Sequence, residues 1–89
     1  AAVRVNGSDV QARAHLASLA MELQRHDVAR TQFETLLRMG YRPARMHFGL
    51  AQIAEAAGDA KKAAAEYRLA LQLEPTFAPA KAALSRLQQ

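Results

Sequence analysis

The stretch Leu50–Leu71, LAQIAEAAGDAKKAAAEYRLAL, decides the fold. Its apolar residues Leu50, Ile53, Ala54 and Ala57 recur at three- and four-residue spacing, which places them on one face of a helix. Gly58 then offers the left-handed backbone that ends a helix, and Asp59 offers a carboxylate to cap the next one. A second stripe follows in Ala63, Tyr67, Ala70, Leu71 and Leu73. It stops at Glu74-Pro75, because the residue before a proline avoids the α region. Two such helices joined by a very short link lie antiparallel.

The same punctuation extends both ways. Upstream, Pro43 suits a first helical turn, where its missing N–H has no partner to lose, and Met46 extends the stripe of Leu50. Before that, Asp27 is the expected cap of a helix whose inner face is Ala29, Phe33, Leu36, Leu37 and Met39, closed by Gly40. The first helix opens at Ser8-Asp9, with Gln11 completing a capping box, and carries Val10, Ala12, Leu16, Leu19, Ala20 and Leu23. Downstream, Thr76 is the expected cap of a fifth helix, with Pro79 in its first turn and Leu84 and Leu87 facing inward. Residues 1–8 carry no periodic pattern and read as a frayed start.

An internal period underlies these five segments. A shift of 34 residues carries Leu16 onto Leu50, Ala17 onto Ala51, Ala20 onto Ala54, Ala29 onto Ala63 and Phe33 onto Tyr67. Leu37 falls on Leu71, and a further shift carries Leu50 onto Leu84. Large residues meet large and small meet small, with no gap at Gly40 or Gly58. This size-matched pattern resembles the tetratricopeptide repeat (TPR), a helix–turn–helix unit with a small residue midway along its first helix. Its second helix carries an Ala-x-x-x-aromatic-x-x-Ala run, and a proline follows.

Residues 44–77 match that unit at Leu50-Ala51, Ala54, Gly58-Asp59, Ala63, Tyr67, Ala70-Leu71 and Pro75. Residues 10–43 match at Leu16-Ala17, Ala20, Ala29 and Phe33. There Leu36 replaces the usual Ala, Tyr41 stands where proline is usual, and Gln24 takes the inter-helix glycine position. Residues 78–89 resemble a lone first helix of the unit, the part that commonly caps an array. The resemblance implies an all-α, right-handed superhelical stack of antiparallel helix pairs: repeat 1 at 10–43, repeat 2 at 44–77 and a terminal helix at 78–89. Close approach of helices is expected at Ala17, Ala20, Ala51, Ala54, Ala63 and Ala70, with Phe33 and Tyr67 filling the gaps between them.

Composition agrees with a helical chain and excludes several functions. The 89 residues make one domain, rich in Ala, Leu, Arg, Gln and Glu, the strong helix formers. There is no cysteine, so neither disulfides nor thiolate metal sites exist. No apolar run approaches the ~20 residues of a membrane span, and no signal peptide is visible, so a cytoplasmic protein is expected. The chain lacks an initiator Met and reads as a fragment of something longer. His15 and His47 have no acidic residue or histidine four positions away, and Glu22 and His26 are separated by a helix end. No metal or cofactor is therefore expected, and the histidines read as ordinary surface residues. Ser8, Ser18 and Ser85 form no nucleophile elbow, the glycines no phosphate cradle and the carboxylates no pair, so no enzyme is expected.

The resemblance implies a binding module instead, whose first helices line a concave groove for a partner peptide or helix. Carried over position by position, the groove comprises Gln11, Ala14, Ser18 and Met21 in the first unit. Arg45, Phe48, Gln52 and Glu55 belong to the second, and Ala82 and Arg86 to the terminal helix. Phe48 either anchors a ligand or packs beneath its neighbours. The positions at which some family members clamp a partner's terminal carboxylate hold Ala14, Ser18, Gly49, Pro79 and Ala83, so no such clamp is expected. The module is read as part of a larger scaffold or assembly protein, and the Ala- and Arg-rich composition points to a bacterial one. The net charge of +4 carries a second reading, a basic nucleic-acid-binding module, which the absence of a basic run disfavours. A third is self-association through the ends of the stack.

Overall fold

The computed structural model describes residues 7–88, with side chains from Asp9 onward. Five helices follow in order: α1 (Gly7–Glu22), α2 (His26–Arg38), α3 (Pro43–Ala56), α4 (Ala60–Leu73) and α5 (Ala78–Leu87). Their number and order are those read from the sequence. Helix α1 starts at Gly7, before the expected Ser8; the side chain of Ser8 and the whole of positions 1–6 lie outside the described residues.

Three links reuse one backbone device. Gln24, Gly40 and Gly58 stand in the left-handed region at φ 58°, 75° and 82°. The next amide then reaches back into the helix just ended. Arg25 N–H donates to Ala20 O at 2.7 Å, Tyr41 N–H to Leu36 O at 2.9 Å and Asp59 N–H to Ala54 O at 2.9 Å, the Schellman arrangement. Gln24 thus takes, without glycine's freedom, the position that Gly58 takes one repeat later.

The helix starts divide into one expected cap and two corrections. Asp59 accepts from the Lys62 amide at 3.1 Å, as read from the sequence. Asp27 is not the cap of α2: that helix opens at His26, with Arg25 in the cap position and no side-chain bond. The Arg25 amide is already tied to Ala20, so the chain enters α2 early and leaves Asp27 in the first turn, where its charge still favours the helix dipole. Thr76 does not cap α5 either. The Phe77 amide closes a turn onto Glu74 O at 3.0 Å, which places Phe77 itself at the cap.

Each helix packs on its chain neighbours, most extensively α3 on α4, giving a stack of 52 × 27 × 16 Å. Two buried clusters meet along α3. One holds Ala17, Ala20, Ala29, Phe33, Leu36, Met46 and Ile53; the other holds Ala51, Ala54, Ala63, Tyr67, Ala70, Ala80 and Ala83. Leu36, larger than the repeat's usual Ala, is completely buried and fills the first cluster. Leu50 and Leu84 are half-buried against these clusters.

Helix α1 departs from its expected stripe. Leu16, Leu19 and Leu23, read as part of one apolar stripe, are 43%, 44% and 63% exposed, and Ala12 is exposed beside them. Helix α1 rests on α2 through Ala17 and Ala20 with Val10, Ala14 and Met21, so its leucines lie on the face turned away. Ala57 and Leu73, read as inner, are exposed as well. Between α2 and α3 the approach is close: a Cβ built on Gly49 would stand 2.6–2.9 Å from atoms of the Phe33 ring. Gly49 is the seat of that ring.

Candidate functional site

Helices α3 and α5, with Tyr67 of α4, line an open recess of about 620 Å³. Its walls are Phe48, Gln52, Glu55 and Ala56 from α3, and Pro79, Ala82, Ala83 and Arg86 from α5. The helical spacing of Phe48, Gln52 and Glu55 sets them on one face of α3; the same spacing aligns Pro79, Ala82 and Arg86 on α5. Gly58 and Pro75 end α3 and α4 where the chain must turn, which brings α5 alongside.

The floor is aromatic. The Phe48 ring lies 5.5 Å from that of Tyr67 and 5.3 Å, edge-on, from that of Phe77. Phe48 is consequently half-buried, a wall of the recess as well as a packed side chain. Of the two sequence alternatives, the packed one describes its contacts with Tyr67 and Phe77.

The rim is ionic. Arg86 forks onto Glu55: Nη2 donates to Oε1 at 3.1 Å and Nη1 donates to Oε2. The Tyr67 hydroxyl donates to the same Oε1 at 2.7 Å. Hydrogen bonding to Arg86 first, and to Tyr67 second, holds the Glu55 carboxyl below its usual range. Burial first, and donation to Glu55 second, push the Tyr67 hydroxyl above its ordinary value. The pairing with Glu55 also raises Arg86. One carboxylate therefore ties α3, α4 and α5 together at the mouth of the recess.

The expected groove residues do not form one continuous surface. Phe48, Gln52, Glu55, Ala82 and Arg86 come together in this recess. Gln11, Ala14 and Ser18 line a separate shallow hollow on α1 with Ala12 and His15. Met21 packs half-buried against the first core cluster. Arg45 does not line this recess. Its guanidinium lies 5.3 Å over the Phe77 ring, and it lines another hollow with Arg42, Leu73 and Glu74. Arg42 covers its neighbour Tyr41 at 5.5 Å and sits at φ 37°.

Sequence reading missed the partners that cross between helices. Tyr67, placed only in the packing, supplies the second donor to Glu55. His47, read as a surface histidine, is half-buried, with Nδ1 2.8 Å from Glu66 Oε1. Arg13 Nη1 donates to Gln32 Oε1 at 3.0 Å. The 34-residue shift maps Arg13 onto His47 and Gln32 onto Glu66, so the period carried this polar pair too. Among the described residues no group of three or more His, Cys, Asp or Glu could hold a metal ion. No helix there is long and apolar enough to cross a membrane.

Compared with known proteins, the chain matches a family model, Tetratricopeptide repeat, over residues 15–83. No curated protein and no solved structure matches it significantly. The matched span runs from α1 into α5 and takes in the paired helices, the left-handed turns and both alanine-lined clusters. This chain belongs to the tetratricopeptide-repeat family.

Proposed function

We propose that the domain is a non-catalytic interaction module that holds a partner peptide or helix in the recess between α3 and α5. The tetratricopeptide repeat is typically a protein-interaction module rather than an enzyme, and this reading names its surface here. The observation that carries it is the convergence of Phe48, Gln52, Glu55, Ala82 and Arg86 on one open concavity of about 620 Å³. An aromatic floor offers apolar contact, and Gln52 with the Glu55–Arg86 pair offers polar contacts at the rim, the combination that fixes and orients a ligand. The proposed context of the domain is a scaffold or assembly protein.

Ala82→Glu is the test. Ala82 is exposed and lines the recess, so a carboxylate there blocks entry without entering the core. Proteins retained from a lysate by the wild-type domain after nuclease treatment, and lost by Ala82→Glu with unchanged circular dichroism, support the recess. Equal retention by both sinks it. Retention abolished by nuclease or by moderate salt would favour the nucleic-acid reading, because phosphate contacts weaken steeply with salt.

A further inference from the structure

From the exposed face of α1 we infer that two copies of this chain pair through it, antiparallel, about a two-fold axis between Leu16 and Leu19. The contrast with α3 sets up the argument. Leu16 and Leu19 correspond through the repeat to Leu50 and Ile53, which pack half-buried and buried against α2. On α1 both are over 40% exposed, and Leu23 prolongs the same apolar stripe. The opposite end of the stack is finished differently. There α5 carries Ser85 and Gln88, both exposed, at the repeat positions of the buried Ala51 and Ala54. Repeat stacks need a polar outer surface at their ends, and only the α5 end has one.

The chemistry of α1 chooses between two occupants. A helix docking on α1 as α2 docks on α3 would bring an aromatic ring onto the position of Gly49, where even a Cβ is too close to Phe33. On α1 that position is His15, a full side chain where α3 has only a hydrogen. A repeat-type helix therefore meets an imidazole where α3 offers bare backbone, while the leucine stripe beside His15 stays open.

A second α1 meets no such obstacle. Antiparallel pairing about the midpoint of Leu16 and Leu19 sets each Leu16 against the other copy's Leu19. It sets each Ala12 against the other copy's Leu23, small opposite large, so the face is complementary to itself as a two-fold interface requires. On one flank, His15 of one copy and Glu22 of the other fall about 3 Å apart along the helix axis at 1.5 Å per residue. One helix per copy covers less than the ~800 Å² per partner of a standard interface, so the dimer is a weak one.

Sedimentation equilibrium on the full chain, from roughly 10 µM to 1 mM, tests the pairing in the range of weak association. The apparent mass should climb from 9.7 kDa toward twice that value. Leu19→Glu should raise the dissociation constant at least tenfold with an unchanged circular dichroism spectrum, whereas Leu69→Glu on α4 should leave it alone. The chain has no cysteine of its own, so the register can be trapped. An Ala12→Cys, Leu23→Cys double variant should oxidise to a covalent dimer, since within one helix those positions are about 16 Å apart, beyond disulfide reach. A monomer at every concentration would overturn the inference, as would loss of the dimer with Leu69→Glu instead of Leu19→Glu. Failure of the double variant to cross-link would overturn the antiparallel register. Ala82→Glu should leave the dimer intact, which separates this surface from the recess.

Discussion

Two positions at the residue scale show how a repeat tolerates exceptions. Gln24 holds the left-handed backbone that Gly58 holds in the second unit, with φ at 58°. A side chain in that region costs roughly 1 kcal/mol that glycine avoids. Gln24→Gly should therefore stabilise the domain by about 1 kcal/mol, read as a higher urea midpoint at unchanged slope. Gly49 is the opposite case. Alanine would improve intrinsic helix propensity by up to about 1 kcal/mol, but its methyl would collide with the Phe33 ring. Overpacking of this kind costs roughly 1–3 kcal/mol, so Gly49→Ala should lower the midpoint. Gly49→Ala combined with Phe33→Leu should recover part of the loss.

At the scale of elements, the helices and their stops could be read almost directly. Gly40, Gly58, Pro43 and Glu74-Pro75 act through local backbone geometry, which sequence neighbours determine. The alanine seams at Ala17–Ala20, Ala51–Ala54 and Ala63–Ala70 were legible from size-matching across the period. Ala63, completely buried, should accept no larger residue, and Ala63→Phe should cost roughly 1–3 kcal/mol in denaturation. What stayed hidden was every contact that depends on how two non-consecutive helices lie. Glu55 and Arg86 are 31 residues apart, and nothing local links them until α5 turns alongside α3. The outward leucines of α1 were misread for a related reason: spacing marks an apolar face without saying whether a neighbour covers it.

The Glu55 tie carries a pH dependence that belongs to this scale. The Glu55 carboxyl is held below its ordinary value of 4.5, so its contribution is complete above that pH and is lost as pH falls through the lowered folded value. The Tyr67 hydroxyl is raised above its ordinary value of 10.0, so its contribution is complete below that pH. It is lost as pH rises from there through the raised folded value. Urea midpoints should thus decline below about pH 4.5 and above about pH 10, the ordinary values of the two groups. Tyr67→Phe should flatten the alkaline limb and leave most of the acid limb, because Arg86 still holds Glu55.

At the scale of the whole molecule, α3 alone contributes to both core clusters, through Met46 and Ile53 on one side and Ala51 and Ala54 on the other. Removing residues 78–89 should uncover Tyr67 and Ala70 and release Glu55 from Arg86, a larger loss than any substitution above. Such a truncation should shift the thermal midpoint while leaving α1 packed on α2 and α2 on α3, which amide exchange would resolve helix by helix. The order of neighbours also sets the tempo of self-assembly. Every well-packed pair of helices is consecutive along the chain, so no long loop must close before the first contacts are rewarded. Chains of this kind fold on the order of microseconds to milliseconds. On a ribosome the ring of Phe33 emerges before its seat at Gly49, and α2 must wait for one more helix before it is fully clothed.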